Sequence, residues 1–245
     1  MRKPGRALPC PRMLLYNTAF PDQAVRAFAE RLHTAGIEAV PSGEGEPFLQ
    51  ILQDRTLPAE GYRIIVQSRG VIVEASTQQE TILALTTTWK EHALHGSLPA
   101  GTFLDAPAFS RRGLLLDCAR HFFPAEEIRR VLEAMALCKL NVFHWHLADD
   151  QGFRIETKAF PEINEAAGSY DTQAEMRDLV AYASDRGIEV IPEIDLPGHT
   201  RAILAGLPKL SCSGKRVRPA RTRGIYKTIL CPGKGGGVPI SERAL

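Results

Sequence analysis

Apolar residues recur at helical spacing over Val25, Phe28, Ala29 and Leu32, after Pro21 and before Gly36, and predict a helix that Gly36 ends. Beyond it the period changes. The short runs FLQIL at 48–52, YRIIV at 62–66 and VIVEA at 71–75 read as strands, the last two joined by a turn at Ser68-Arg69-Gly70. Thr77, with Glu80 three residues on, makes a capping box for a helix running to about His95. The first hundred residues therefore read as a small α+β unit with no catalytic constellation, and the Pro and Gly between 96 and 107 mark its boundary.

From Arg111 strands and helices alternate. GLLLDCA at 113–119 is a short apolar strand, and Pro124 opens a helix with Ile128, Val131, Leu132 and Met135 on one face. NVFHWHL at 141–147 is a second strand. After a long polar loop, Thr172 and Glu175 cap a helix whose apolar face is Met176, Leu179, Val180 and Ala183 and which Gly187 stops. IEVIPEI at 188–194 is a third strand. Consecutive βα units with short apolar strands imply an α/β fold with a parallel sheet, doubly wound or closed into a (β/α) barrel.

Alternation along a strand separates two faces. In NVFHWHL, Phe143, Trp145 and Leu147 share the side suited to packing under helices, whereas Val142, His144 and His146 share the other. The third strand divides into Ile188, Val190 and Ile194 against Glu189, Glu193 and Asp195. A polar face on an otherwise apolar strand suits a barrel interior; structural ion pairing is the alternative. Working residues of a parallel barrel lie at the C-terminal ends of its strands. Those positions hold Asp117 and Arg120, then His146, Asp149 and Asp150, then Glu193, Asp195 and His199. Carboxylates that accept from sugar hydroxyls, beside imidazole and guanidinium donors, suit a polyhydroxylated ligand. The pair His144 and His146 could instead bind a divalent metal. That reading is disfavoured because His144 lies deeper in the strand and the acids that follow would crowd the shell.

Composition adds limits. The 245 residues are 44% hydrophobic and 24% charged, as in a globular protein, and the net charge is +2. The charge is uneven. Residues 201–245 hold ten Lys or Arg against Glu242 alone, a balance of +9, which leaves −7 for residues 1–200. A nucleic-acid arm is one reading of that end, but it lacks interleaved aromatics; a loop with acidic partners elsewhere is the plainer one. Five cysteines without a CxxC spacing argue against a zinc site or a disulfide scaffold, and Cys118 and Cys138 sit in apolar patterns that suggest core thiols. The basic N-terminus has no uninterrupted apolar stretch of the signal-peptide kind, and no run is long enough to span a membrane, so a cytoplasmic location is the default expectation.

Three segments, RRGLLLDCARHFFP at 111–124, KLNVFHWHLADDQGFRIE at 139–156 and IEVIPEIDLPGHT at 188–200, resemble in order and spacing the family 20 glycoside hydrolases, the β-N-acetylhexosaminidases. The resemblance implies the first part of a (β/α)8 TIM barrel, about three βα units over 109–233, behind a small α+β domain over 12–105. It implies removal of terminal non-reducing N-acetylglucosamine or N-acetylgalactosamine from glycans. The substrate's own acetamido oxygen would be the nucleophile, with retention and with no cofactor or metal. By resemblance, Arg112 binds the ring hydroxyls of the terminal sugar, Asp149 and His199 form a relay that supports the general acid, and Glu193 and Asp195 shape the pocket. The partner implied is a glycan, with neither nucleic acid nor membrane. Phe153 stands where the family often has Trp.

In this family an adjacent Asp-Glu pair carries the chemistry, the Asp orienting the acetamido group and the Glu protonating the leaving oxygen. No Asp-Glu pair occurs in this sequence. The resemblance stops near Gly233, and residues 234–245 read as a tail outside the family. One permitted coding sequence for GGGVPISERAL, read one base later, encodes Glu-Glu-Val-Phe-Arg-Phe-Leu-Asn-Ala-Leu, an amphipathic helix start, so a one-base insertion and early termination are expected. The expected chain is then a truncated hexosaminidase, inactive alone and prone to aggregate. A non-catalytic N-acetylhexosamine-binding relative and a metal-dependent barrel hydrolase are the alternatives.

Overall fold

The period-two runs of the first hundred residues become a sheet in the computed structural model, which describes residues 7–234. The chain separates into two units, the first comprising residues 1–112 with 135–141 and 185–187, the second comprising 113–134, 142–184 and 188–245. The tail at 235–245, and with it the expected frameshift, lies outside the described residues.

In the first unit, β1 (Leu8–Pro9) pairs with β7 (Ser97–Leu98), apart from a six-stranded sheet. That sheet is built from β2 (Met13–Thr18), β3 (Glu38–Pro41), β4 (Leu49–Gln53), β5 (Tyr62–Val66), β6 (Val71–Ala75) and β8 (Gly101–Asp105), in the order β3-β2-β4-β6-β5-β8. Helices α1 (Gln23–Thr34) and α2 (Gln78–His95) bury Val25, Phe28, Leu32, Leu83 and Leu85 against Leu49, Ile51, Ile64 and Val73. The capping box of α2 forms as expected, with the Thr77 N–H donating to Glu80 at 2.7 Å and the Gln79 N–H to Thr77 Oγ1 at 3.2 Å. One expectation fails here: the stretch read as a boundary contains β8, which pairs with all of β5. All five of its residues are exposed, so it has no buried alternation to betray it.

The second unit holds the parallel sheet β11-β10-β9, formed by β9 (Gly113–Asp117), β10 (Val142–Ala148) and β11 (Glu189–Ile194). The connecting helices are α3 (Ala125–Leu137), α4 (Pro161–Ala167) and α5 (Gln173–Ser184), and α6 (Arg201–Gly206) follows β11. Phe143, Trp145 and Leu147 are buried with Ile128, Leu132 and Leu179, as the alternation requires. At about 25 cal/mol per Å², rings of this size make the largest single burial contributions to such a unit. The Trp145 indole N–H donates to Cys118 Sγ at 3.2 Å, and burial pushes that thiol up to about 11. Cys138, expected in the core, is exposed because α3 ends at Leu137 and the chain turns there, with Lys139 at φ 57°.

Candidate functional site

Register decides which side chains of the parallel sheet meet. Asp117, His146 and Glu193 are partners across β9, β10 and β11, so one transverse row at the C-terminal end carries acid, imidazole and acid on a single face. One row deeper lie Leu115, His144 and Ile191. His144 Nε2 meets Glu193 Oε2, which gives this histidine a neighbour inside the sheet's polar face.

Asp149 follows β10 in a tight return, where its N–H donates to Gly152 O at 2.9 Å and Phe153 bridges back to Ala148. Its carboxylate is buried and surrounded by donors: Arg120 Nη2 at 2.5 Å, His146 Nε2 at 3.2 Å, His199 Nδ1 at 3.1 Å and the Asp150 N–H at 2.5 Å. Arg120 reaches it from the loop after β9, whose Cys118 and Ala119 N–H groups both donate to His146 O. The same guanidinium binds Asp117 at 2.5 Å. Burial pushes the Asp117 carboxyl up, but the N–H and guanidinium of Arg120 outweigh it and hold it below the usual carboxylate range. Asp150 goes the other way: burial raises it, the Arg201 N–H opposes, and the charge of Asp149 adds to the rise.

His199 stands in the left-handed region, φ 54°, on the turn between β11 and α6. That backbone costs a non-glycine residue about 1 kcal/mol, which the packing of the turn must offset. The turn is tied down by Thr200 Oγ1 donating to Pro197 O at 2.9 Å and by the Leu230 N–H donating to Pro197 O at 3.2 Å. Glu193 Oε1 lies 3.0 Å from His146 Nδ1, yet that buried nitrogen makes no hydrogen bond of acceptable geometry. Asp195 completes a cluster with His146 and Glu193 whose ligating atoms lie within 4.8 Å of one another, and Asp149, Asp150 and His199 form a second such cluster. Either trio has the donor types a divalent ion takes. Arg120, however, already places a cation 2.5 Å from Asp149, where it would repel a second.

Of the residues expected to bind substrate, Asp149, Glu193, Asp195 and His199 all lie at the C-terminal end of the sheet. Arg112 does not, and its expected contact with the sugar is corrected. It precedes β9, at the opposite end of that strand from Asp117, and its guanidinium is engaged in the first unit by both Glu60 oxygens at 3.0 Å and by Lys139 O at 2.6 Å. Arg120 is the guanidinium that stands beside Asp149. A residue that the sequence reading passed over is Arg154. Its buried guanidinium donates to Cys118 O at 3.0 Å, Ala119 O at 2.9 Å and Ser169 O at 2.7 Å, fixing the loop that carries Arg120. Gly152 is needed beside it, because a Cβ there would lie 2.1 Å from Arg154 Cζ.

Comparison with known proteins places this geometry. The sequence profile of the catalytic domain of glycosyl hydrolase family 20 matches residues 109–238, and that of domain 2 of the same family matches 12–106. A β-hexosaminidase of Porphyromonas gingivalis is 36% identical over 233 residues, covering 86% of this chain and 30% of that protein. The human β-hexosaminidase subunit beta is 36% identical over 150 residues, covering 58% of this chain and 27% of its own length. Among solved structures, the β-N-acetylhexosaminidase of Bacteroides fragilis superposes with TM-score 0.85 at 27% identity over 98% of this chain and 52% of that one. An exo-β-N-acetylglucosaminidase of Vibrio harveyi in complex with N-acetylglucosamine gives TM-score 0.85 at 26% identity, covering 98% and 43%. The chain thus spans under a third of the length of these curated relatives and about half of these solved structures.

Proposed function

Since the chain belongs to glycosyl hydrolase family 20, its second unit being three βα units of that family's barrel, we propose that it carries part of the sugar pocket of a β-N-acetylhexosaminidase. The ligand is a terminal non-reducing N-acetylhexosamine. The observation that carries this reading is the buried Asp149 carboxylate, which gathers Arg120, His146 and His199 at the C-terminal end of β10. Such an anion fixes the orientation of three donors at once. His199 and Arg120 are each about half exposed, at 47% and 46%, so both can turn N–H groups to hydroxyls while their other atoms stay bound to Asp149.

Asp149 and His199 act as the relay that supports a general acid, and Glu193 and Asp195 line the same pocket. Arg120, in place of Arg112, is the residue that reads the sugar hydroxyls. The Asp-Glu pair that the family uses for the chemistry itself is absent from this sequence. The chain by itself therefore binds sugar without turning it over: a missing general acid costs about 10²–10⁴-fold, and a missing acetamido partner more. Two measurements on the purified chain test this. Titration calorimetry with N-acetylglucosamine is expected to give weak, saturable binding that Asp149→Ala abolishes. A chromogenic N-acetylglucosaminide should give no turnover above background; clear turnover would overturn the division of labour.

A further inference from the structure

His146 is almost wholly enclosed, its side chain 5% exposed, and its two ring nitrogens have different surroundings. Nε2 faces the Asp149 carboxylate at 3.2 Å and, farther off, Asp117 at 4.0 Å; a carboxylate only accepts, so Nε2 carries the proton of that bond. In the neutral ring, Nδ1 then offers a lone pair. It has no hydrogen-bond partner, although Glu193 Oε1 lies 3.0 Å away. That is hydrogen-bonding distance, so it is direction that fails, and the bonding direction of the nitrogen passes to one side of Oε1. Two acceptors this close repel, and a proton on Nδ1 would not bridge them. A metal ion would. Bonds of about 2.0–2.1 Å put neighbouring tetrahedral ligand atoms about 3.3 Å apart, with the ion beside the line that joins them. A lone pair that misses its neighbour is what joint ligation requires.

Asp195 supplies a third donor, since one ligand atom each from His146, Glu193 and Asp195 lies within 4.8 Å of the others. The supporting contacts are in place as well. A ligating imidazole is ordinarily oriented by a carboxylate on its other nitrogen, as Asp149 orients His146, and the second Glu193 oxygen meets His144 Nε2. His144 is therefore a neighbour that orients a ligand, so its deeper position in β10 is no objection. Asp149 lies on the Nε2 side of the ring and does not crowd the shell. Charge favours this trio over the other. Arg120 is paired with Asp117 and Asp149, which leaves Glu193 facing imidazoles; Asp195 feels Arg120 only at a distance, and its carboxylate has no hydrogen bond or ion pair among the described residues. Around Asp149, Asp150 and His199, by contrast, positive charge is already present. Besides Arg120, the basic loop over 215–227, with six Lys or Arg, is fixed at that side of the rim of the sugar site. The Ala220 N–H donates to Asp150 O at 2.8 Å, and Gln151 Nε2 donates to Thr222 O at 3.1 Å.

We propose that His146 Nδ1, Glu193 and Asp195 form a binding site for a divalent transition-metal ion, with water completing the coordination shell. The ion ties β10 to the C-terminal end of β11. The inference stands on this cluster alone and needs no sugar to bind. Zinc is the probe. The full 245-residue chain, stripped of metal with a chelator that is then removed, is titrated with zinc against a chromophoric chelator, beside Glu193→Gln/Asp195→Asn. The chain is expected to take up one zinc ion and to unfold at a higher temperature with it. The double variant should bind about a hundredfold or more weakly, with far-ultraviolet circular dichroism confirming that it folds. Calcium should bind far more weakly than zinc, because imidazole is a poor ligand for it. Cobalt in place of zinc should give visible ligand-field bands without the near-ultraviolet thiolate band that capture by an exposed cysteine, Cys138 or Cys212, would give. A second readout needs no variant. In long-range proton–nitrogen NMR spectra the His146 ring is expected to hold its proton on Nε2 without metal, and its Nδ1 resonance should move when zinc is added. Unchanged affinity in the double variant, a cobalt–thiolate band, calcium bound as tightly as zinc, or a proton on His146 Nδ1 in the metal-free chain would each overturn the site.

Discussion

Removing the Asp149 carboxylate would leave Arg120, His146 and His199 without their common acceptor. Breaking up a buried group of charges of this kind costs several kcal/mol, but Arg120 and His199 are half solvated and recover part of it. Asp149→Ala is therefore expected to lower stability by on the order of 2 kcal/mol, read from urea midpoints, with sugar binding lost. An unchanged midpoint would show that the cluster does not hold the loops. A second residue gives a pH signature. Burial, then the charge of Glu175, raise the Asp171 carboxyl to about 6 against the pull of Arg154, and its Oδ2 is buried without a hydrogen bond. The folded state thus prefers the protonated form. Its contribution to stability is full below the unfolded value near 4 and is lost as pH rises through about 6, by at most about 3 kcal/mol. Asp171→Asn should flatten the pH dependence of the unfolding free energy between those limits. Residue by residue, the sequence exposed Asp149, His199, Glu193 and Asp195 through strand alternation and the rule of C-terminal ends. Arg112 was assigned against that rule, eight positions before the arginine that obeys it. The rule by itself singles out Arg120; only the resemblance pointed to Arg112, whose partner Glu60 is distant in sequence and not readable from the pattern.

Elements were legible in proportion to how much of their pattern is buried. The strands at 62–66 and 71–75 and the helix ending at His95 have the bounds expected, because buried alternation and a capping box declare them. β8 is exposed throughout, and α4 is seven residues inside a polar stretch; neither has a period long enough to read. The return between β10 and Phe153 likewise depends on contacts that sequence does not display. Gly152 leaves room for the Arg154 guanidinium, which is pinned by three carbonyls and cannot swing away. Gly152→Ala is expected to cost about 1–3 kcal/mol by overpacking. In an Arg154→Ala background the same substitution should cost little, and a strictly additive pair would show that the close approach is not the cause.

At the scale of the molecule, the parallel sheet ends on β9 and β11, and among the described residues neither strand has a second neighbour. Leu115, on the polar face of β9, is 55% exposed. Open edges with apolar side chains template association between copies. The chain is expected to scatter light increasingly with concentration and temperature, and Leu115→Lys should delay this without changing circular dichroism; an unaltered onset would place the sticky surface elsewhere. The open edges were legible in the count of strands alone, whereas the fixed basic loop at the sugar rim was not, since only its composition, and not its anchors, is written locally.

The bond from Trp145 to Cys118 gives the molecule a built-in reporter. Of its two tryptophans, Trp89 belongs to the first unit and Trp145 to the second, so each unit emits with its own indole. A thiol held 3.2 Å from an indole nitrogen drains its excited state. In a Trp89→Phe variant, the native chain should fluoresce weakly from Trp145, then brighten and shift to the red as denaturant separates the pair, while Cys118→Ala should be bright from the start. Light alone would then follow the loss of the strand that carries the sugar site.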